Sequence, residues 1–130
     1  MTSHITSKEL SERLKKLGVA QKSEFYWAEY MRWKSKGKQM VRAKNVWLLD
    51  RWGSVNGQGN PTGKEVFSAF LASELGEMLP RYCEVTFRQR AEDRVKLNWN
   101  CDGEFNETEA STLPEALGLM LEYLLINKLI

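Results

Sequence analysis

The sequence predicts an α+β fold in which helices pack on one face of an antiparallel sheet of two hairpins. Three stretches carry helix-start signals or apolar residues at helical spacing, and four stretches have the residue types or the alternation typical of strands. Their order along the chain is αββαββα. At 130 residues the chain is long enough for one hydrophobic core, so we expect residues 1–130 to form a single domain.

The first helix is indicated by a capping box at residues 6–9. Leu10, Leu14 and Leu17 follow at helical spacing, and Gly18 ends the pattern. These signals predict a helix with a narrow apolar stripe.

Two aromatic-rich stretches, residues 25–31 and residues 46–52, predict the first pair of strands. Residues 32–44 lie between them and concentrate Lys and Arg around Gly37, which predicts either a hairpin tip or a basic excursion from the domain. Residues 53–63 are rich in Gly, Asn, Ser and Pro, so we expect them to be the most mobile internal segment.

Two further helices are predicted in the second half of the chain. The short one ends before Pro80, Ser73 is placed to cap its start, and its apolar face contains Leu71, Leu75, Met78 and Leu79. The last helix follows a second capping box at residues 112–115 and runs to Leu125. Its broad apolar face contains Leu117, Met120, Leu121 and Leu124.

A second hairpin is predicted by two stretches of alternating polar and apolar residues on either side of Glu92. Centring the turn there puts Cys83 opposite Cys101, Val85 opposite Trp99, and Phe87 opposite Leu97. On the outer face the same register sets Arg88 opposite Lys96 and Arg90 opposite Arg94, and these pairs repel unless carboxylates or an anionic partner lie nearby. We expect the last helix to cover the inner face formed by Val85, Phe87, Leu97 and Trp99.

Charge and cysteine content narrow the class of protein. The net charge of +2 divides into +8 for residues 1–64 and −6 for residues 65–130, and such halves attract each other in a fold. The start of the chain lacks a signal-peptide pattern, and no stretch approaches the roughly 18 apolar residues of a membrane span. With only two cysteines we expect a cytoplasmic protein whose thiols are reduced.

Three segments together resemble a group of small uncharacterised phage and prophage proteins. They are the aromatic strand at residues 23–27, the SELGEMLP-containing helix at residues 72–80, and the YLLIN-containing helix at residues 121–127. The resemblance implies an origin in a mobile element and a bacterial host cell. It implies no catalytic residues, because none are established for the group.

The residue types offer no recognisable catalytic or metal-binding constellation. The sole histidine is His4 near the N-terminus, so a nucleophile elsewhere has no imidazole to activate it. Residues 57–64 are glycine-rich, but Gln58 and Glu65 depart from the phosphate-loop pattern. The acidic residues at 102–109 are interpreted as a solvated turn before the last helix. We therefore expect neither an enzyme nor a cofactor.

Two basic surfaces are candidates for contact with a partner. The first choice, for an anion or a partner, consists of Arg32, Lys34, Lys36, Lys38, Arg42 and Lys44. The second choice consists of Arg88, Arg90, Arg94 and Lys96. We expect a binding protein that acts on a macromolecule, a protein more than a nucleic acid, and not a membrane. The alternative is nucleic-acid binding through residues 32–44, and a homo-oligomer is compatible with either interpretation.

Overall fold

The computed structural model describes residues 4–51 and 66–130, which form three helices and six strands. The helices are α1 (Lys8–Lys16), α2 (Ala72–Met78) and α3 (Leu113–Ile126). The strands are β1 (Phe25–Lys36), β2 (Gln39–Arg51), β3 (Phe67–Ala69), β4 (Cys83–Ala91), β5 (Arg94–Cys101) and β6 (Glu104–Ala110). The predicted α+β class is confirmed. Residues 53–63, expected to be the most mobile segment, lie outside the described residues.

The described strands form two antiparallel three-stranded sheets instead of one sheet of two hairpins. The first has the order β2-β1-β3 and the second the order β4-β5-β6. The predicted order αββαββα therefore lacks two strands. Strand β3 is only three residues long, which is too short to show an alternating pattern. Strand β6 occupies residues that the sequence predicts as a polar turn, and the true turn is formed by Asp102 and Gly103, both with positive φ.

Helix α1 begins one residue later than its capping box predicts. Ser7 is the N-cap, and its hydroxyl accepts a hydrogen bond from the Leu10 N–H at 3.2 Å. Thr6 is instead buried, and its hydroxyl lies 2.7 Å from the Ser11 hydroxyl and accepts from the Phe70 N–H at 3.0 Å. The predicted cap residue thus ties the N-terminal segment to the chain that follows β3.

Helix α2 is capped by a carboxylate and not by Ser73. One Glu74 oxygen accepts from the N–H of the N-cap Leu71 at 2.8 Å. The other accepts from the Glu24 N–H at 2.9 Å, just before β1. Ser73 lies inside the helix, exposed, because the helix starts at Ala72. A single side chain therefore joins the start of α2 to the start of β1.

Helices α1 and α3 pack closely at the centre of the molecule. A Cβ atom added to Gly118 would lie 2.6 Å from Leu10 Cδ2 and 3.2 Å from Thr6 Cγ2. Glu115, in the first turn of α3, accepts hydrogen bonds from both the N–H and the hydroxyl of Ser7, at 2.8 and 2.7 Å. The core around this contact contains Leu10, Leu14, Phe70, Leu75, Leu97, Trp99, Leu117, Met120, Leu121 and Leu124. The predicted apolar face of α3 is therefore confirmed.

The register predicted for the β4–β5 hairpin is confirmed from Cys83 opposite Cys101 to Arg88 opposite Lys96. Two details are wrong. The register shifts between Gln89 and Ala91, so Arg94 lies opposite Ala91 and Arg90 occupies a bulge. Phe87 is predicted in the core, but it is 61% exposed, because α3 packs mainly on β5 and β6.

The two cysteines form a disulfide bond, so the expectation of reduced thiols is wrong for this structure. Cys83 and Cys101 face each other with their Cα atoms 4.1 Å apart. Among the described residues there is no free cysteine. The bond links the open edge of the second sheet to its central strand.

We expect Gly118→Val to lower the free energy of unfolding by about 1–3 kcal/mol, because the added side chain overlaps Leu10 and Thr6 at the α1–α3 contact. Urea unfolding followed by circular dichroism measures this change. The matched control is Gly76→Val in α2, where an added Cβ meets nothing within 4 Å. Equal losses in the two variants would contradict the close approach.

We expect reduction of the disulfide to lower the stability of the wild-type chain by roughly 2–3 kcal/mol, because it removes a cross-link across 18 residues. The test is the midpoint of urea unfolding with and without a reductant. A Cys83→Ala/Cys101→Ala variant is the control, and its midpoint should not respond to the reductant. A wild-type midpoint that also fails to respond, with the thiols shown to be free, would oppose this prediction.

Candidate functional site

The β1–β2 hairpin projects from the domain as a two-stranded ribbon. Strand β3 pairs with β1 only at residues 25–27, so the ribbon beyond them has no third strand among the described residues. Residues 31–40 are all exposed. At the rise of an extended strand, the six residues from Met31 to Lys36 span roughly 20 Å. Residues 32–44 are thus a hairpin tip, which is the first of the two predicted arrangements.

A two-residue turn closes the ribbon. Lys36 lies opposite Gln39, and Gly37 and Lys38 connect them. Gly37 has a φ of 65°, in the left-handed region that glycine adopts without steric cost. Lys38 is consequently at the outermost point of the hairpin.

Strand alternation divides the six predicted basic residues between the two faces of the ribbon. Arg32, Lys34 and Lys36 share one face, which we name the cationic face. Their cross-strand neighbours are Ala43, Val41 and Gln39, none of which is charged. The structure therefore brings three of the six residues together in one row.

The opposite face of the ribbon, which we name the aromatic face, holds Met31, Trp33, Met40 and Arg42. Trp33 and Arg42 are cross-strand partners, and the Arg42 guanidinium carbon lies 5.9 Å from the centre of the Trp33 ring. Trp33 is 55% exposed and Met40 62% exposed. The register shifts between the pair Tyr30–Val46 and the pair Arg32–Ala43, and Lys44 lies at this shift. The basic residues thus do not form one continuous patch.

In the described part of the chain, no carboxylate forms an ion pair with any of the basic residues of the hairpin. Residues 31–44 contain no Asp or Glu, and none of their Lys or Arg side chains forms an ion pair with the described part of the chain. Other described ion pairs join Glu12 with Lys8 and Lys16, Glu122 with Arg13, Glu24 with Arg51, Glu109 with Arg94, and Glu107 with Lys96. Unneutralised positive charge is concentrated at the tip.

Side-chain contacts join the base of the ribbon to the N-terminal segment and to β3. The Trp27 indole N–H donates to the Thr6 carbonyl at 3.0 Å, and Trp47 stacks on Phe67 with ring centres 5.4 Å apart. Tyr30 donates to Asp50 Oδ2 at 2.6 Å. Burial, followed by the hydrogen bond to Asp50, raises the pKa of Tyr30 well above its usual value. The neutral phenol is therefore retained as the donor.

Carboxylates neutralise two of the four residues of the second predicted basic surface. Arg94 Nε donates to Glu109 at 2.8 Å, and Lys96 Nζ lies 3.0 Å from Glu107. Strand β6 supplies both carboxylates, from residues that the sequence predicts as a turn. Arg88 and Arg90 remain exposed without an ion-pair partner in the described part of the chain.

The described residues contain no group of three or more His, Cys, Asp or Glu side chains able to hold a metal ion. Within the same ranges, no helix is both long enough and apolar enough to cross a membrane.

The sequence analysis missed two exposed methionines, Met31 and Met40, on the aromatic face. The hairpin register places both side chains on this exposed face, and composition alone does not predict that register.

The surface at the tip of the hairpin must be interpreted from its own geometry. Its components are the cationic face, the aromatic face and Lys38 at the turn. The charges are unneutralised, and both faces are open to solvent. Comparison of the chain with known protein families, with curated proteins and with solved structures finds no match.

Proposed function

We propose that this protein is a non-enzymatic binding protein whose β1–β2 hairpin docks on a negatively charged macromolecule, and that this macromolecule is a nucleic acid. The observation that carries the proposal is the unneutralised charge of the tip, where six Lys and Arg residues occur without any acidic residue. Cations that neutralise phosphates release condensed counterions and thereby drive binding.

The shape of the hairpin also suits a nucleic acid. A two-stranded ribbon fits the major groove of a duplex, and the alternate spacing of Arg32, Lys34 and Lys36 directs three cations to the same side. On the other face, the exposed ring of Trp33 offers a surface on which an unpaired base can stack, with Arg42 beside it. The two faces therefore suit two forms of nucleic acid, duplex and single strand.

A second candidate partner is another protein, which the sequence analysis favours over a nucleic acid. The aromatic face supports it, because exposed Met31, Met40 and Trp33 next to Arg42 are the residue types enriched in protein interfaces. Such an interface would depend less on salt than phosphate contacts do, since apolar area contributes much of its free energy. Salt dependence therefore separates the two partners.

The biological setting we propose is that of an accessory protein of a phage or prophage, working in the cytoplasm of its bacterial host. Its support is the resemblance carried by residues 72–80 and 121–127 together with the aromatic strand at residues 23–27. Sequencing the neighbourhood of the gene tests this setting. Phage genes on either side would support it, and chromosomal housekeeping genes on both sides would oppose it.

The charge of the cationic face can be reversed without disturbing the core. We expect Lys34→Glu/Lys36→Glu to weaken binding to short duplex DNA, single-stranded DNA and RNA at low salt. For duplex DNA the slope of log K against log salt should fall by about two, because two lysines no longer neutralise phosphates. Fluorescence anisotropy with end-labelled oligonucleotides over a salt series provides both quantities.

The matched control is Lys22→Glu/Lys128→Glu, which changes the net charge equally at two exposed positions outside the hairpin. It should retain most of the affinity and the full salt slope. If both double variants bind like the wild type, or if the wild type does not bind any of the three nucleic acids at low salt, the nucleic-acid proposal is wrong.

A further inference from the structure

Strand β4 forms an open edge of the second sheet. Its neighbour in the described sheet is β5, on one side only. The regular part of this edge is limited at one end by Cys83, whose N–H donates to the Pro80 carbonyl at 3.0 Å. At the other end it is limited by the register shift after Gln89. The straight segment is therefore residues 83–89, and Thr86 is its midpoint.

The backbone of this segment presents hydrogen-bonding groups to solvent. The Cα separation of 4.1 Å between Cys83 and Cys101 is typical of a non-hydrogen-bonded antiparallel pair. Positions of the same parity, Val85, Phe87 and Gln89, therefore direct their N–H and C=O groups away from β5. Within the described ranges these groups meet no other strand. An open edge of this kind is a template for pairing with another strand.

Both faces of the edge carry exposed side chains. On the outer face Glu84 and Arg88 are exposed, and neither forms an ion pair with described residues. On the inner face Phe87 is 61% exposed. Beside it lies a groove whose lining includes Leu79, Val85 and Leu117. The exposed ring of Phe87 thus lies two residues along β4 from Val85, which lines the apolar groove.

We propose that β4 pairs antiparallel with β4 of a second copy of this chain, across a two-fold axis at Thr86. In this register Glu84 lies opposite the partner subunit's Arg88, and Arg88 lies opposite the partner subunit's Glu84. Val85 lies opposite the partner subunit's Phe87, which places that ring at the groove. Thr86 lies opposite its own symmetry mate. The two sheets then form one sheet of six strands.

Neighbouring registers are less favourable. A two-fold axis normal to the sheet leaves every side chain on the face of the sheet that it already occupies. The axis must therefore pass midway between one residue and the same residue of the second copy. An axis at Val85 sets Glu84 opposite Thr86 and loses both ion pairs. An axis at Phe87 sets Glu84 opposite Arg90 of the partner subunit, and Arg90 lies in the bulge. An axis at Arg88 brings two guanidinium groups together. The axis at Thr86 therefore gives two ion pairs, a Thr–Thr pair and two apolar pairs within the regular segment.

The charge pairing allows a test by exchange of charges. Glu84→Arg places two arginines opposite each other at both ends of the interface, and Arg88→Glu does the same with carboxylates. We expect each variant alone to dimerise at least about tenfold more weakly than the wild type, because attraction becomes repulsion at two positions. An equimolar mixture of the two variants restores both ion pairs, so it should form a heterodimer of near wild-type affinity. Sedimentation velocity over a concentration series measures all three states.

The position of the axis is tested by cross-linking. Thr86→Cys places two thiols about 4.5 Å apart by their Cα atoms, within reach of a disulfide. Mild oxidation should therefore give a covalent dimer on a non-reducing gel. Asn98→Cys is the control, since it lies on the same outer face but one strand inward on β5. A wild-type chain that stays monomeric throughout the series, a mixture that does not associate, or equal cross-linking of both cysteine variants would overturn the proposal.

Discussion

The close contact between α1 and α3 is the constraint on which the rest of the structure depends. Gly118 lets the two helices approach until Leu10 and Thr6 fill the space that a side chain would occupy. Glu115 reinforces the contact by accepting two hydrogen bonds from Ser7. Helix α1 packs on β3 in the first sheet, and α3 packs on β5 and β6 in the second. The pair of helices therefore joins two sheets that share no strand among the described residues.

This arrangement leaves the hairpin free for contact. Because the helices anchor only its base, residues 31–40 extend beyond every element that would cover them in the described structure. Residues 31–44 contain no carboxylate of their own, and several carboxylates elsewhere pair with cations on α1 and on the second sheet. The positive charge of the tip thus follows from the position of the hairpin as well as from its composition.

Much of the fold could be predicted from the sequence because local rules determine it. Alternation alone predicts the register of β4 and β5 over Cys83–Arg88, and capping signals locate α1 and α3 to within a residue or two. Strand β6 was missed although Asp102-Gly103 is a strong turn signal for a hairpin. Its residues are mostly polar because the strand lies at an edge of its sheet. The alternation of polar and apolar residues in β4 does not predict the bulge at Arg90.

The candidate site could be predicted only in part. Composition identifies residues 32–44, but their division into a cationic and an aromatic face depends on a register that shifts between Tyr30 and Arg32. The exposure of Phe87 depends on which strands α3 covers, and that is a property of tertiary packing. The disulfide requires that Cys83 and Cys101 lie opposite each other and that the conditions are oxidising. The sequence predicts only the position of the two cysteines.

Native-state hydrogen exchange tests most directly whether the α1–α3 contact makes the two sheets one cooperative unit. We expect amides at the base of β1, in β5 and in α3 to open with the same free energy and the same denaturant dependence. Amides at residues 31–40 should exchange much faster, because the ribbon opens locally. Separate opening free energies for the base of β1 and for β5 would show that the sheets unfold independently and would contradict the role given to the α1–α3 contact.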